Sequence, residues 1–115
     1  MKGWISIYRS LAEKDLWLKE KFTKGQAWID LIMLANHIKG FIWVRGIHIP
    51  IERGQVGWSE LSLSTRWKWS RTRTKNFLKF LENEQQIVQQ RNNKTTIITI
   101  LNYNKYQKNG IKKEQ

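Results

Sequence analysis

The chain contains no cysteine, a single proline and no long apolar run among its 115 residues. Without cysteine, a disulfide framework and a thiolate metal site are both excluded, as is common in proteins of a reducing compartment. The longest apolar run, residues 31–35, is far too short to cross a bilayer, and no apolar segment follows the N-terminus as it would in an export signal. These absences predict a soluble protein of the cytoplasm with no membrane partner.

Acidic residues are scarce as well, since nine Asp and Glu stand against 21 Lys and Arg, which leaves a net charge of +12. The excess is uneven, because residues 1–60 carry a net charge of +3 and residues 61–113 carry +10. A balance of this kind favours a polyanionic partner such as a nucleic acid. A basic surface without a specific partner has the same composition, so the position of the cations has to distinguish the two interpretations.

The residue types that catalytic sites need are few and poorly spaced. The two histidines, His37 and His48, have no acidic residue at a metal-ligand spacing. The sequence also contains no glycine-rich phosphate loop and no nucleophile elbow. We therefore expect no catalytic residue, no metal and no cofactor, and a protein that acts by binding rather than as an enzyme.

The first half of the chain predicts a mixture of helix and strand. Residues 25–38 repeat apolar side chains at three- and four-residue steps, which predicts a largely buried helix that Gly40 stops. Residues 41–44 fit a loop or a short strand, and residues 46–52 alternate as a half-buried strand does. Pro50 cannot donate to a ladder, which favours an edge position for that strand.

Residues 3–22 are ambiguous, because their apolar side chains fit one face of a helix and one face of a strand about equally well. We expect a short extended piece and then a helical turn near residues 9–14. Trp17, Leu18 and Phe22 are expected to anchor a loop that follows this turn.

Two capped helices open the segment around which the rest of the chain is expected to be organised, residues 59–101. Ser59 and Ser70 can each accept a hydrogen bond from an orphan amide of a first helical turn. They predict a short helix from residue 59 to about residue 66, a turn, and a longer helix over residues 70–83. The side chains at core spacing are Leu63, Trp67, Trp69, Thr74, Phe77, Leu78 and Leu81.

A hairpin is predicted after the second helix. Residues 86–90 and 95–101 alternate as strands, and the asparagines of residues 92–94 tolerate the left-handed backbone of a turn. The side chains expected to face the core are Ile87, Ile98 and Ile100. The order predicts the α+β fold class of a winged helix-turn-helix, with three or four helices and a small antiparallel sheet as its wing. Residues 1–107 would form this domain, and residues 108–115 a flexible basic tail.

Residues 66–79 place six cations and no acid in fourteen positions, most of them on the outward face of the second helix. If that helix enters a major groove, its first residues meet base edges, where Arg suits guanine and Asn suits adenine. We expect base contacts from Arg71, Arg73, Lys75 and Asn76, and phosphate contacts from Lys68, Thr72 and Lys79. Ser70 caps the helix beside amides that can hold a phosphate, and Arg91 and Lys94 of the wing would follow the backbone or the minor groove.

Trp67 and Trp69 have two interpretations, as core anchors or as stacking platforms for unpaired bases. Trp67 falls on the buried phase of the first helix, and Trp69 occupies the apolar position just before the second N-cap. Their positions therefore favour the core.

Six short segments between residues 3 and 107 carry a resemblance to known proteins. They are GQAWIDL at residues 25–31, LANH at 34–37, RGQ at 53–55, RWKWSR at 66–71, FLKFLE at 77–82 and TILNYNKYQ at 99–107. In these segments the chain resembles the N-terminal winged-helix domain of phage replisome-organiser and DnaD-like replication initiation proteins.

The resemblance implies origin recognition on phage or plasmid DNA, recruitment of a replicative helicase or its loader, and self-association, for example as a homodimer. Such proteins usually continue into a second, C-terminal region, so this chain corresponds to an N-terminal domain or to a small stand-alone protein. In the second case a phage-type transcriptional regulator fits the same module. A third interpretation is a protein-interaction or oligomerisation module, which the aromatic content of residues 4–22 motivates.

Overall fold

The computed structural model describes residues 2–91 and 95–107 of the chain, which form an α+β structure with two small antiparallel sheets. The helices are a 3-10 helix at Arg9–Glu13, α1 (Asp15–Leu18), α2 (Lys24–Leu34), α3 (Glu60–Trp67), α4 (Arg71–Asn83) and α5 (Tyr103–Tyr106). The strands are β1 (Gly40–Val44), β2 (Ile47–Ile51), β3 (Gln55–Val56), β4 (Ile87–Arg91) and β5 (Thr96–Ile100). The predicted α+β class is confirmed, and the helices exceed the expected three or four because α1 and α5 are additional single turns.

The first sheet is a hairpin of β1 and β2, in which Phe41 lies opposite Pro50 and Trp43 opposite His48. Residues 41–44, for which a loop and a strand both fitted the sequence, therefore belong to a strand. Because the sheet has only two strands, Pro50 lies on an edge as predicted. The rings of Phe41, Trp43 and His48 pack against one another, with centroids 4.5–5.8 Å apart, on an exposed face of the hairpin.

The second sheet has the order β3-β5-β4, so that β5 is its central strand. Ile87 pairs with Ile100, and the ladder continues to the pair of Arg91 and Thr96. These strands begin and end within one residue of their predicted bounds, so the hairpin prediction is confirmed for its strands. The turn predicted at residues 92–94 lies outside the described residues.

The helix predicted over residues 25–38 ends four residues early, at Leu34. Ala35 already has an extended backbone, with ψ of 143°. The Asn36 amide then donates to the Gln55 carbonyl, and the Asn36 carbonyl accepts from the Gly54 amide at 2.7 Å. These long-range bonds hold the chain extended, so that Gly40 begins β1 instead of stopping a helix.

The N-terminal segment contains the predicted helical turn as the 3-10 helix Arg9–Glu13. The expectation that Trp17 and Leu18 anchor a loop is wrong, because both lie in α1. Two contacts of Trp17 fix this helix: its carbonyl accepts from the Gln26 side chain at 2.7 Å, and its indole donates to Asp30 at 2.9 Å. Local periodicity could not show either contact, since both reach into α2.

The core lies where α3 and α4 meet the second sheet, around the fully buried Trp67. Trp67, Trp69 and Phe77 form an edge-to-face cluster with centroids 5.0–5.8 Å apart. The core role of both tryptophans is thus confirmed. The other side chains that were predicted to face inward and are buried are Leu63, Thr74, Phe77, Leu78, Leu81, Ile87, Ile98 and Ile100.

In the part of the chain that the structure describes, no helix has the length and apolar character that crossing a membrane requires.

Candidate nucleic-acid interface

Helices α3 and α4 are joined by a tight turn that the sequence locally encodes. Ser59 accepts from the Ser62 amide at 3.1 Å and Ser70 from the Arg73 amide at 3.0 Å, so both predicted N-caps are confirmed. Helix α3 ends at Trp67, and the following residue, Lys68, has a left-handed backbone with φ of 60° and an amide that donates to the Ser64 and Thr65 carbonyls. This left-handed residue turns the chain by the angle that brings α4 across α3.

A buried polar contact fastens the two helices to each other. The Ser64 and Thr74 hydroxyl oxygens lie 2.9 Å apart, and Thr74 donates in turn to the Ser70 carbonyl at 3.0 Å. Both side chains are excluded from solvent. Since a buried hydroxyl is costly without a partner, this chain of bonds fixes one rotation of α4 about its own axis.

That rotation leaves one face of α4 free. Among the predicted contact residues, those that are exposed are Lys68, Ser70, Arg71, Thr72, Lys75, Asn76, Lys79 and Arg91. The opposite face carries Phe77, Leu78 and Leu81 into the core, so the cations cannot turn inward without unpacking it. The exposed face therefore has the charge and the regular spacing that a nucleic-acid backbone would meet.

Arg73 departs from the expectation that it points outward. Its side chain is only partly exposed, and its guanidinium carbon lies 4.3 Å from the centre of the Trp69 ring. Its Nε finds no acceptor among the described residues. Stacking of a planar guanidinium on an indole is favourable, which explains why Arg73 folds back over the turn. It lies beside Asn76 in the wall of a groove of about 460 Å³, so it remains within the candidate interface.

Arg66, one of the six cations among residues 66–79, does not belong to the exposed basic face. Its side chain, 12% exposed, binds the fully buried Asp30 carboxylate through Nε at 2.7 Å and Nη2 at 2.8 Å. Trp67 and Trp17 donate their indole N–H groups to the same carboxylate at 2.8 and 2.9 Å. Asp30 thus receives four hydrogen bonds. Through its ion pair with Asp30, Arg66 joins α3 to α2.

The β4–β5 hairpin contributes Arg91, the last residue of β4, whose guanidinium lies 3.6 Å from the Glu60 carboxylate. The same carboxylate lies 3.7 Å from the Arg71 guanidinium. Lys94, predicted to contact the backbone from the wing, lies outside the described residues. Sequence reasoning missed Glu60 and also Arg45, which lines the same cleft as these residues. Arg45 directly precedes the glycine of the β1–β2 turn, but it lies 26 positions before Arg71 and gave no local signal.

The exposed cations and Asn76 can therefore bind an anion or the hydrogen-bonding edge of a base. Within residues 2–91 and 95–107, no three His, Cys, Asp or Glu side chains gather as metal ligands would. Comparison of the chain with protein-family models, with curated proteins and with solved structures returned no significant match.

Proposed function

We propose that this chain is a winged helix-turn-helix that binds double-stranded DNA, with α4 in the major groove and the β4–β5 hairpin as the wing. The observation that carries the proposal is the exposed face of α4. It presents Arg71, Lys75 and Lys79 with no acidic residue anywhere between positions 71 and 81. A helix that packs by its other face against a second capped helix has the arrangement in which such helices enter a groove.

The residues of α4 divide by their distance from its N-terminus. Lys75 and Asn76 lie within the first two turns and are exposed, so they can reach base edges, and Asn is suited to a bidentate bond with adenine. Lys79 lies one turn further on and suits a phosphate, as does Lys68 in the turn before the helix. The protein then acts through binding alone, and no bond is made or broken.

The test is duplex affinity as a function of salt for the triple variant Arg71→Ala, Arg73→Ala, Lys75→Ala. Each lost phosphate contact should flatten the dependence of log K on log salt by about one unit, and each lost base contact should cost about 1–3 kcal/mol with relaxed specificity. Lys14→Ala, Lys39→Ala, Lys105→Ala is the matched control, since it removes the same charge from exposed sites outside α3, α4 and the wing. Circular dichroism would verify that both variants fold.

Equal binding by the two triple variants would refute the assignment of α4 to the groove. Single-stranded DNA of the same sequence is a further control, because tighter binding of the single strand would exclude a duplex-reading helix.

We place this binding in the initiation of phage or plasmid replication, with a replicative helicase or its loader as the protein partner, because the chain resembles phage replisome-organiser and DnaD-like replication initiation proteins. A small transcriptional regulator would use the same module. Selection of bound sites from random oligonucleotides, followed by their location at an origin or over a promoter, distinguishes these two roles.

A second candidate function, self-association as a homodimer, is favoured by the apolar N-terminal segment. Trp4, Ile5 and Tyr8 are 64%, 81% and 88% exposed and lie within five residues of one another. Exposed apolar side chains that are grouped, unlike single ones, mark sites of protein–protein contact. Light scattering on the wild type and on a Trp4→Ser, Ile5→Ser, Tyr8→Ser variant tests it. A dimer that becomes a monomer supports this surface, and a monomer in both rules it out.

A further inference from the structure

Three arginines from three separate elements border one cleft of about 690 Å³. Arg45 comes from the β1–β2 turn, Arg71 is the first residue of α4, and Arg91 is the last residue of β4. Gly57, which also borders the cleft, packs closely against the β1–β2 hairpin. A Cβ at Gly57 would lie 2.8 Å from the Ile42 Cδ1 atom of β1.

One acidic side chain stands among these cations. The Glu60 carboxylate lies 3.7 Å from Arg71 and 3.6 Å from Arg91, and its side chain is 21% exposed whereas theirs are 62% and 54% exposed. Both separations exceed the roughly 2.7–2.9 Å of a charge-assisted hydrogen bond, so these are loose ion pairs. The guanidinium groups of Arg71 and Arg91, from different elements, therefore both lie near the Glu60 carboxylate without a short hydrogen bond to it.

We propose that this cleft takes a backbone phosphate of DNA, bound by Arg45, Arg71 and Arg91, and that Glu60 occupies the place of the phosphate in the free protein. The inference rests on the proposed function, and it assigns to the phosphodiester backbone a site that extends from the wing to the β1–β2 turn. A phosphate presents several acceptor oxygens in the geometry that guanidinium forks prefer, so it competes well with a single carboxylate. Loose, exposed ion pairs contribute little to stability, so their exchange for phosphate contacts costs little.

If phosphate binds in this cleft, Glu60 affects DNA affinity through its charge and not only through its contacts with the two arginines. While DNA is absent, the Glu60 carboxylate balances part of the charge of Arg71 and Arg91. When DNA binds, the negative charge of Glu60 repels the phosphate and lowers the affinity for DNA of every sequence alike. Removing that charge should therefore tighten binding, whereas a residue that merely orients the two arginines would weaken binding when it is changed.

The experiment measures duplex affinity by fluorescence anisotropy over a series of salt concentrations. Glu60→Gln should bind roughly 2–5-fold more tightly, the range that one exposed ion pair implies. Arg45→Ala should weaken binding and flatten the slope of log K against log salt by about one unit. Glu52→Gln and Lys39→Ala are the matched controls, because both are exposed, change the same charge and flank the same hairpin without lining the cleft.

Weaker binding by Glu60→Gln, or an Arg45→Ala variant indistinguishable from Lys39→Ala, would overturn the phosphate assignment while leaving α4 as the reading helix. Failure of the wild type to bind duplex at all would instead remove the proposed function, and the cleft assignment with it.

A separate arm distinguishes the DNA backbone from a free anion. The amide resonances of Gly46 and Ser59 are followed by NMR while inorganic phosphate is added at constant ionic strength, and again while duplex is added. Shifts with duplex that inorganic phosphate does not reproduce support the backbone assignment. Saturable shifts with inorganic phosphate, together with unchanged duplex affinity of Arg45→Ala, would assign the cleft to a free anion and contradict the proposal.

Discussion

At the scale of single residues, the buried Asp30 carboxylate of α2 joins three helices through four hydrogen bonds. Its carboxylate accepts from α1, from the end of α3 and from two nitrogens of Arg66. The helical phase of α2 places Asp30 between Ala27 and Leu31 on the buried face, and that much could be predicted. Its partner Arg66 lies 36 positions away, and no local signal distinguishes this arginine from the cations that face solvent.

We predict that Asp30→Asn lowers the free energy of unfolding by about 3–5 kcal/mol, because it leaves the Arg66 cation largely buried without its counter-charge. The new amide would also direct N–H groups toward the indole and guanidinium donors. Urea unfolding followed by circular dichroism measures the change. Glu20→Gln, at an exposed position, is the control and should differ from the wild type by less than about 0.5 kcal/mol. A similar small effect of Asp30→Asn would contradict the role of the ion pair.

At the scale of elements, the helices whose ends are set by their own side chains could be predicted, and those set from elsewhere could not. The N-terminus of α4 matches its expected position because Ser70 caps it within three residues. Helix α2 ends early because Asn36 bonds to Gln55 and Gly54, which are distant in sequence. The same holds for the candidate site: the exposed face of α4 followed from periodicity, whereas the approach of Arg45 depends on how a separate hairpin packs.

The N-cap of α4 gives a prediction at this scale. Ser70→Ala should lower the free energy of unfolding by about 1 kcal/mol, since the Arg73 amide loses its acceptor, while Ser70→Gly should cost only a few tenths of that unit. Thermal or urea unfolding of the two variants measures the difference. If Ser70→Gly were the more destabilising of the two, the cap would not be what begins the helix.

At the scale of the whole molecule, the basic face and the scaffold behind it are held by different contacts. Arg9 donates to the Met33 carbonyl at 3.1 Å and to the Tyr103 hydroxyl at 2.7 Å, so it ties the N-terminal segment to α2 and to α5. None of these residues lies on the exposed face of α4. The arrangement separates the parts that would touch DNA from the parts that hold the ends of the described chain together.

We therefore predict that Arg9→Met increases hydrogen exchange in residues 2–14 and leaves α4 protected, because the lost bonds belong to a local unit. Mass spectrometry of exchanged peptides makes the comparison, with Lys2→Met as the control of equal charge. Duplex affinity of the Arg9→Met variant should match that of the control. Loss of protection in α4 would show that the N-terminal segment and α4 unfold as one.

The buried Asp30 carboxylate also gives the protein an intrinsic fluorescence probe. Trp17 and Trp67 donate their indole N–H groups to it from two different helices, and the emission of an indole depends on the charge and hydrogen bond at its ring nitrogen. A ligand that drew α3 away from α2 would have to break the second of these bonds. Binding of such a ligand would then shift the wavelength of the tryptophan emission, without any added dye.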